Sequence, residues 1–504
     1  MLRRLGLLLV VINILWMAAC GGGGGGSNNS TITGVSVSCT PTSVSSGGTS
    51  QCTAAVSGTG NFSQNVTWTA SAGTINSSGL LTAPMVTTSL LITVAATSTQ
   101  DTSKSGTASV TVNPGTTANN VAPLVVDSGP SGGEANIAYT TITVCVPGTM
   151  QCQTIDHIQV DTGSSGLRLL SSVLTISLPQ NLDTSGNPLD ECLVFLDGYV
   201  WGPVATADVT VAGEQAGSLP VQMIIPSTSS PAVPASCSGQ TSGPNEGNSV
   251  SDLGSNGIIG VGFLQTDCGI VCTTQNSQIP DWYYDCRSSG CNPTYVTLQQ
   301  QVANPVTLFP SDNNGVLIQL PAVPDGGSPS PAGSLIFGIG TQSNNGLGNA
   351  NIYPVPDQNS ILNNVGSIIT TFNGQAYAYS FIDSGSNGLF FLDTSTTGIP
   401  TCQGFQGSSN WYCPSTSPDN LSASNQGQNN SGQPSGTPAT VNFAIENAGN
   451  LFQTSNTAWS TLGGPYGSPP IEFDWGLPFF FGRNVFTAID LANTPAGPGP
   501  YVAY

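Results

Sequence analysis

Apolar β-branched residues and threonine recur at every second position over short runs along this chain, and each run ends in Gly, Pro, Asn or Ser. A period of two sends successive side chains to opposite faces of a sheet, and the breakers supply the turns between strands. Val35-Ser36-Val37, Val66-Thr67-Trp68-Thr69-Ala70 and Ser109-Val110-Thr111-Val112 show the pattern early, and Ala138-Tyr139-Thr140-Thr141-Ile142-Thr143-Val144 opens a later series. No long helical period follows, so the fold class is all-β. Residues 403–437, rich in Ser, Asn, Gln and Gly, read as an elaborated loop rather than as strands.

The pattern divides the chain. Met1-Leu2-Arg3-Arg4 and the apolar run Leu5 to Trp16 precede Met17-Ala18-Ala19-Cys20, which resembles a lipobox. Residues 1–19 are expected to be a lipoprotein signal peptide and Cys20 the lipidated residue, with residues 20–33 forming a glycine-rich tether. Gly21 after the cysteine fits export to an outer membrane, which places the protein in the cell envelope, on the periplasmic or surface face. Residues 34–113 resemble bacterial Ig-like domains, through the Thr67-Trp68 strand, Gly73-Thr74-Ile75, Gly79-Leu80-Leu81-Thr82-Ala83-Pro84 and the closing Ser109–Val112. Such a module implies a spacer, with adhesion as the alternative. Residues 114–133 are expected to be a linker.

Composition narrows the function. Charged residues make up 6% of the 504 positions and the formal charge is −20. Without the signal segment only Lys104, Arg168, Arg287 and Arg483 remain as fixed cations, too few and too scattered to displace phosphate counterions, so no nucleic acid is expected as a partner. Thirteen cysteines leave twelve once Cys20 is assigned to lipid. Close spacing pairs Cys39 with Cys52, Cys145 with Cys152, Cys268 with Cys272, Cys286 with Cys291 and Cys402 with Cys413; Cys192 with Cys237 follows by elimination. A zinc site from the Cys268–Cys291 cluster is the rival to disulfides, but export and a single histidine favour the disulfides, and no metal or cofactor is expected.

Two segments share one further pattern: Ile158-Gln159-Val160-Asp161-Thr162-Gly163-Ser164-Ser165-Gly166-Leu167 and Ser380-Phe381-Ile382-Asp383-Ser384-Gly385-Ser386-Asn387-Gly388-Leu389. Each is an apolar run, then Asp-Thr/Ser-Gly-Ser, then Gly-Leu. Paired carboxylates can activate a water between them, one acting as base while the other holds a proton, because like charges at short range do not both ionise. Thr162 and Ser384 can hydrogen-bond across the two turns, with Gly163, Ser164, Gly385 and Ser386 completing the support. Val125-Val126-Asp127-Ser128-Gly129-Pro130 almost matches, but it ends in proline and lies too near Asp161 to head its own lobe.

From residue 134 onward the chain resembles the pepsin-like aspartic peptidase family. The resemblance rests on the two motifs, the opening hairpin around Pro147-Gly148, and Asn256-Gly257-Ile258-Ile259-Gly260-Val261-Gly262-Phe263. Phe480-Phe481-Gly482 with Val485-Phe486-Thr487-Ala488-Ile489-Asp490 is the expected second-lobe counterpart of that segment, and Ser334-Leu335-Ile336-Phe337-Gly338 the strand joining the lobes. It implies a bilobal fold with lobes at 134–345 and 346–504, and an endopeptidase acting on polypeptide through Asp161 and Asp383 without metal or cofactor. It also implies a flap at Phe195-Leu196-Asp197-Gly198-Tyr199, with Phe195 rather than Tyr199 at the family's tyrosine position. Arg168 stands where the family commonly has tryptophan, free to bind a carboxylate or pair with a local acid. Two rivals stay open. Gly129-Pro130-Ser131-Gly132-Gly133 fits a serine-hydrolase spacing with His157 as its base. Alternatively, the fold binds a polypeptide or other ligand without hydrolysing it, using loops such as Asp281-Trp282-Tyr283-Tyr284.

Overall fold

The computed structural model describes residues 30–45, 48–84, 89–113, 120–195, 198–226, 228–229, 231–239, 245–274, 281–360, 364–405, 407–466 and 472–504. The expected signal peptide, Cys20 and most of the tether lie outside the described residues, as do Leu196 and Asp197 of the flap segment. The chain separates into two compact units, residues 1–116 and 117–504.

The first unit is two four-stranded sheets. Inward-facing Cys39, Cys52 and Leu81 of one sheet pack with Val44, Ile92, Val94, Val110 and Val112 of the other, so alternation along each strand becomes one shared core. The Cys39–Cys52 disulfide ties directly paired strand positions.

The second unit is built on a sixteen-stranded and a seven-stranded sheet. Six strands of the larger sheet form its floor, in the order Val121–Val126, Ala332–Phe337, Gly315–Gln319, Asn484–Ala488, Tyr501–Ala503 and Ile352–Pro354. This corrects three expectations. Residues 114–133 are not all linker, because Val121–Val126 is a buried-alternating strand paired with Ala332–Phe337. The floor draws strands from both sides of residue 345, so the lobes share a sheet rather than meeting at one point in the chain. Asn484–Ala488 belongs to that floor, paired with Gly315–Gln319, and is not the second lobe's counterpart of Gly257–Val261.

That counterpart is Phe473–Trp475. In the first lobe Cys152–Asp161 runs parallel to Gly257–Val261, with Asp161 opposite Gly260, and Ser165–Leu170 returns antiparallel along the same strand. In the second lobe Gln375–Ile382 runs parallel to Phe473–Trp475 and Leu389–Phe391 returns antiparallel to it. Each aspartate therefore closes a strand whose turn straddles a third strand. The two copies make the all-β, bilobal pepsin-like arrangement. Phe391, Phe473 and Trp475 stack with ring centroids 5.2 and 5.3 Å apart, and burying each ring contributes about 2–3 kcal/mol that holds the second loop in place.

The expected loop at 403–437 contains strand. Asp419–Gln428 and Pro434–Ile445 form a hairpin in the seven-stranded sheet. Two of its inward polar side chains find partners: Thr370 Oγ1 donates to Asn425 Oδ1 at 2.8 Å, and Gln428 Nε2 to the Ala378 carbonyl at 2.6 Å. They stand beside Ala423, Val441 and Ile445, which the hairpin contributes to the core, and composition alone does not reveal that mixed face.

All six expected disulfides are present. Cys268, Cys272, Cys286 and Cys291 are thereby consumed in two of them, which removes the zinc reading.

Candidate active site

The two loops face each other so closely that each glycine sits against the opposite carboxylate. A Cβ on Gly163 would lie 2.7 Å from Asp383 Cγ, and one on Gly385 would lie 2.6 Å from Asp161 Oδ1. Only glycine permits that approach. Its freed backbone is put to use. Gly163 N–H donates to Asp161 Oδ1 at 2.7 Å and to Asp383 Oδ1 at 3.0 Å, so one amide spans the pair. Gly385 N–H donates to Asp383 Oδ1 at 2.7 Å. The outer oxygens are held alike, Asp161 Oδ2 by Ser164 Oγ and Asp383 Oδ2 by Ser386 Oγ at 2.9 Å.

Behind the carboxylates the hydroxyl residues exchange hydrogen bonds across the lobes. Thr162 N–H donates to Ser384 Oγ at 3.1 Å, and Ser384 N–H donates to Thr162 Oγ1 at 2.9 Å. Ser384 Oγ then donates to the Val160 carbonyl at 2.8 Å and Thr162 Oγ1 to the Ile382 carbonyl at 3.5 Å, so both hydroxyls are directed at backbone of the two strands. Thr162 and Ser384 are both buried. The structure thus brings together Asp161, Asp383 and all six expected supporting residues. Two more that the sequence did not single out secure the second loop from the first lobe: Gln159 Nε2 donates to the Gly385 carbonyl at 2.9 Å, and Asn136 Nδ2 to the Asn387 carbonyl at 3.0 Å.

Burial, then the Asp161 and Asp474 charges, hold the Asp383 carboxyl well above the usual carboxylate range, so Asp383 keeps a proton. Asp474 is a third acid that the sequence reading passed over. It lies buried in Phe473–Trp475, and burial pushes its carboxyl up to about 8. An acid inside the apolar run Phe473-Asp474-Trp475-Gly476 was the available signal, obscured because the apolar segment after it looked more like a core strand.

The flap segment joins Leu189–Val194 to Gly198–Val211 as a hairpin. Tyr199 is not presented to the cleft: it packs with Cys192, Trp201, Tyr284 and the Cys192–Cys237 disulfide. Phe195 rests against Leu170, Leu193, Val200 and Ile224. Arg168 does find local acids. Fully buried, its guanidinium donates to Glu191 at 2.8 Å, to Asp267 at 3.1 Å and to the Ser165 carbonyl at 2.9 Å. Tyr283 hydroxyl donates to Asp267 at 2.8 Å and accepts from Val302 N–H. Burial and the neighbouring Glu191 hold Asp267 well above its ordinary range. With Asp267 held toward its neutral form, the buried guanidinium does not face two full negative charges. It connects the strand after Asp161 to the flap strand through Glu191.

The rival sites do not assemble. Ser131 is exposed in a turn, while His157 Nε2 faces Asp127 Oδ2 at 3.3 Å and its Nδ1 faces Asp156 at 3.4 Å. Tyr283 and Tyr284 are buried, so the 281–284 loop is packing rather than a ligand platform. A cavity of about 630 Å³ opens in the second lobe among Leu389, Phe443, Trp475, Phe479 and Arg483, and neither dyad aspartate lines it.

Among curated proteins none matches the chain. A solved structure, the aspartic proteinase from Irpex lacteus, is 15% identical and superposes on 76% of this chain and 96% of its own, with a TM-score of 0.45. Residues 116–504 match the family model described as "Protein of unknown function (DUF3443)", and the chain belongs to that family.

Proposed function

We propose that the second unit is an aspartic endopeptidase. The observation that carries this reading is the bracketed pair: two carboxylates from two lobes, bridged by one amide and supported by reciprocal hydroxyl contacts. Asp161 is the base that takes a proton from the attacking water. Asp383, held protonated, donates toward the scissile carbonyl oxygen as negative charge develops there. Collapse of the tetrahedral species returns a proton to the leaving amine, and the pair regains its starting state. The substrate in this reading is a polypeptide in extended form.

Envelope anchoring through Cys20 belongs to the same proposal. It rests on the sequence of residues 1–26; among the described residues no helix is long and apolar enough to cross a membrane.

The test is hydrolysis of an unfolded protein by a soluble form lacking residues 1–26, from acid to neutral pH. Asp161→Asn and Asp383→Asn should each lose at least about 10³-fold in kcat/KM with KM little changed, because the interactions removed act at the transition state. Folded wild type that cleaves nothing at any pH refutes the catalytic reading in favour of ligand binding.

A further inference from the structure

Three arginines follow the signal segment in a chain that carries 26 acids. Arg168 is paired with Glu191 and Asp267, and Arg287 with Asp285 at 2.6 Å. Arg483 alone has no carboxylate partner among the described residues. Its Nη1 donates to the Phe479 carbonyl at 2.6 Å, and its Cζ lies 4.5 Å from the centroid of the Phe479 ring. The guanidinium presents five N–H donors in a planar fork, and the Nε and Nη2 edge is left without a protein acceptor among the described residues. Burial pulls its pKa below the ordinary range, the mark of a cation taken partly out of water with no anion beside it.

Arg483 lines the cavity of about 630 Å³ in the second lobe, and that volume lies within the roughly 300–1,000 Å³ usual for small-molecule sites. The walls are apolar: Leu389, Phe443, Trp475 and Phe479 all border it. Their rings hold one another edge-on or tilted, Phe443 to Trp475 at 5.1 Å and Trp475 to Phe479 at 5.5 Å. Thr461 Oγ1, also on the lining, is committed to Glu446. Asp325 is the acid among the lining residues; it is exposed, so water and salt screen its charge. Water alone would solvate the guanidinium but leave aromatic surface wet, and a hydrocarbon alone would strip the guanidinium of its hydration. A molecule with an apolar body and a single negative end meets both demands.

We propose that this cavity is a binding site for an apolar monocarboxylate. The carboxylate lies on the free edge of Arg483, where charge-assisted bonds are the strong ones, and the body rests against Leu389, Phe443 and Phe479. A cation is repelled by Arg483, and an inorganic anion has nothing to place against the rings. The same chemistry is offered by a free aliphatic or aryl acid and by the C-terminal residue of a polypeptide. Neither dyad aspartate lines the cavity, so the site stands whether or not the chain hydrolyses peptides.

The test is calorimetric titration of the wild-type protein at neutral pH with three probes: phenylbutyrate, its neutral amide, and acetyl-Gly-Phe with a free carboxylate. At least one acid should bind with a Kd of about 1 mM or tighter, and phenylbutyrate at least about tenfold more tightly than its amide. Arg483→Gln should weaken the acids by at least about tenfold and the amide by less than about threefold, since only the charged contact is removed. Acid affinity should also fall as pH drops through about 4 to 5, where the probe's own carboxylate takes up a proton. Should Arg483→Gln fail to fold, Ala444→Phe fills the cavity from the hairpin side and should abolish binding of all three probes. Tighter binding of the dipeptide supports the site as one for polypeptide C-termini, and tighter binding of phenylbutyrate supports it as one for free acids. The proposal is overturned if neither acid binds up to about 10 mM, if acid and amide bind alike, or if Ala444→Phe leaves their affinities unchanged.

Discussion

Asp190 offers a clean test of how this chain tolerates buried acid. It sits on the flap strand Leu189–Val194, 0% exposed. Gln180 Nε2 donates to its Oδ1 at a long 3.3 Å, and its Oδ2 has no partner. Burial pushes the carboxyl from an ordinary 3.8 up to about 7. Between those values the folded protein binds a proton that the unfolded chain releases. Stability from this group is therefore complete below about pH 4 and is lost as pH rises through 7. At roughly 1.36 kcal/mol per pH unit, the loss reaches about 4 kcal/mol by pH 9. Asn has the same shape and cannot ionise. Asp190→Asn should match wild type within about 1 kcal/mol at pH 4 and exceed its stability by up to about 4 kcal/mol at pH 9. That corresponds to a guanidinium midpoint higher by on the order of 1 M. Tryptophan fluorescence is a suitable probe, because Trp201 and Trp282 lie in the packed groups around this strand. A variant-minus-wild-type difference that stays flat from pH 4 to 9 would refute the reasoning, and with it the view that unpaired buried acids make this fold prefer low pH.

Two further outcomes follow from the site. Ser384→Ala removes the acceptor of Thr162 N–H and the donor to the Val160 carbonyl, leaving Thr162 N–H buried without its partner; a loss of about 2–3 kcal/mol by denaturation and a fall in kcat larger than any rise in KM are expected. Arg168→Ala strands Glu191 beside Asp267 and should cost about 3–5 kcal/mol by the same assay, whereas Arg168→Met together with Glu191→Gln should recover much of it, since a neutral, filled cluster needs no counter-charge.

Much of the molecule was legible in the chain itself. A period of two with frequent breakers is a local signal, so the all-β class could be read without knowing which strands pair. Five of the six disulfides followed from spacing because close cysteines in strand-and-turn sequence have few other partners, and Cys192–Cys237 followed by elimination. The two Asp-Thr/Ser-Gly-Ser segments were legible because their chemistry is local: the turn, the glycine and the hydroxyl all sit within four residues of each aspartate.

What the sequence left open depends on contacts between distant segments. Asp474 lies 91 positions after Asp383 and 313 after Asp161, and only the pairing of its strand with Phe381 and Phe390 on either side of the second loop buries it there. Val121–Val126 looked like linker because its partner, Ala332–Phe337, is some two hundred residues away. The hairpin at 419–445 looked like a loop because its strand character is carried by polar groups whose partners come from other strands. Arg168 is held by acids 23 and 99 residues distant. A sequence specifies period, turn and local chemistry directly. Which buried charge meets which partner is fixed only when the sheets close, because removing these groups from water makes the pairing energetically compulsory.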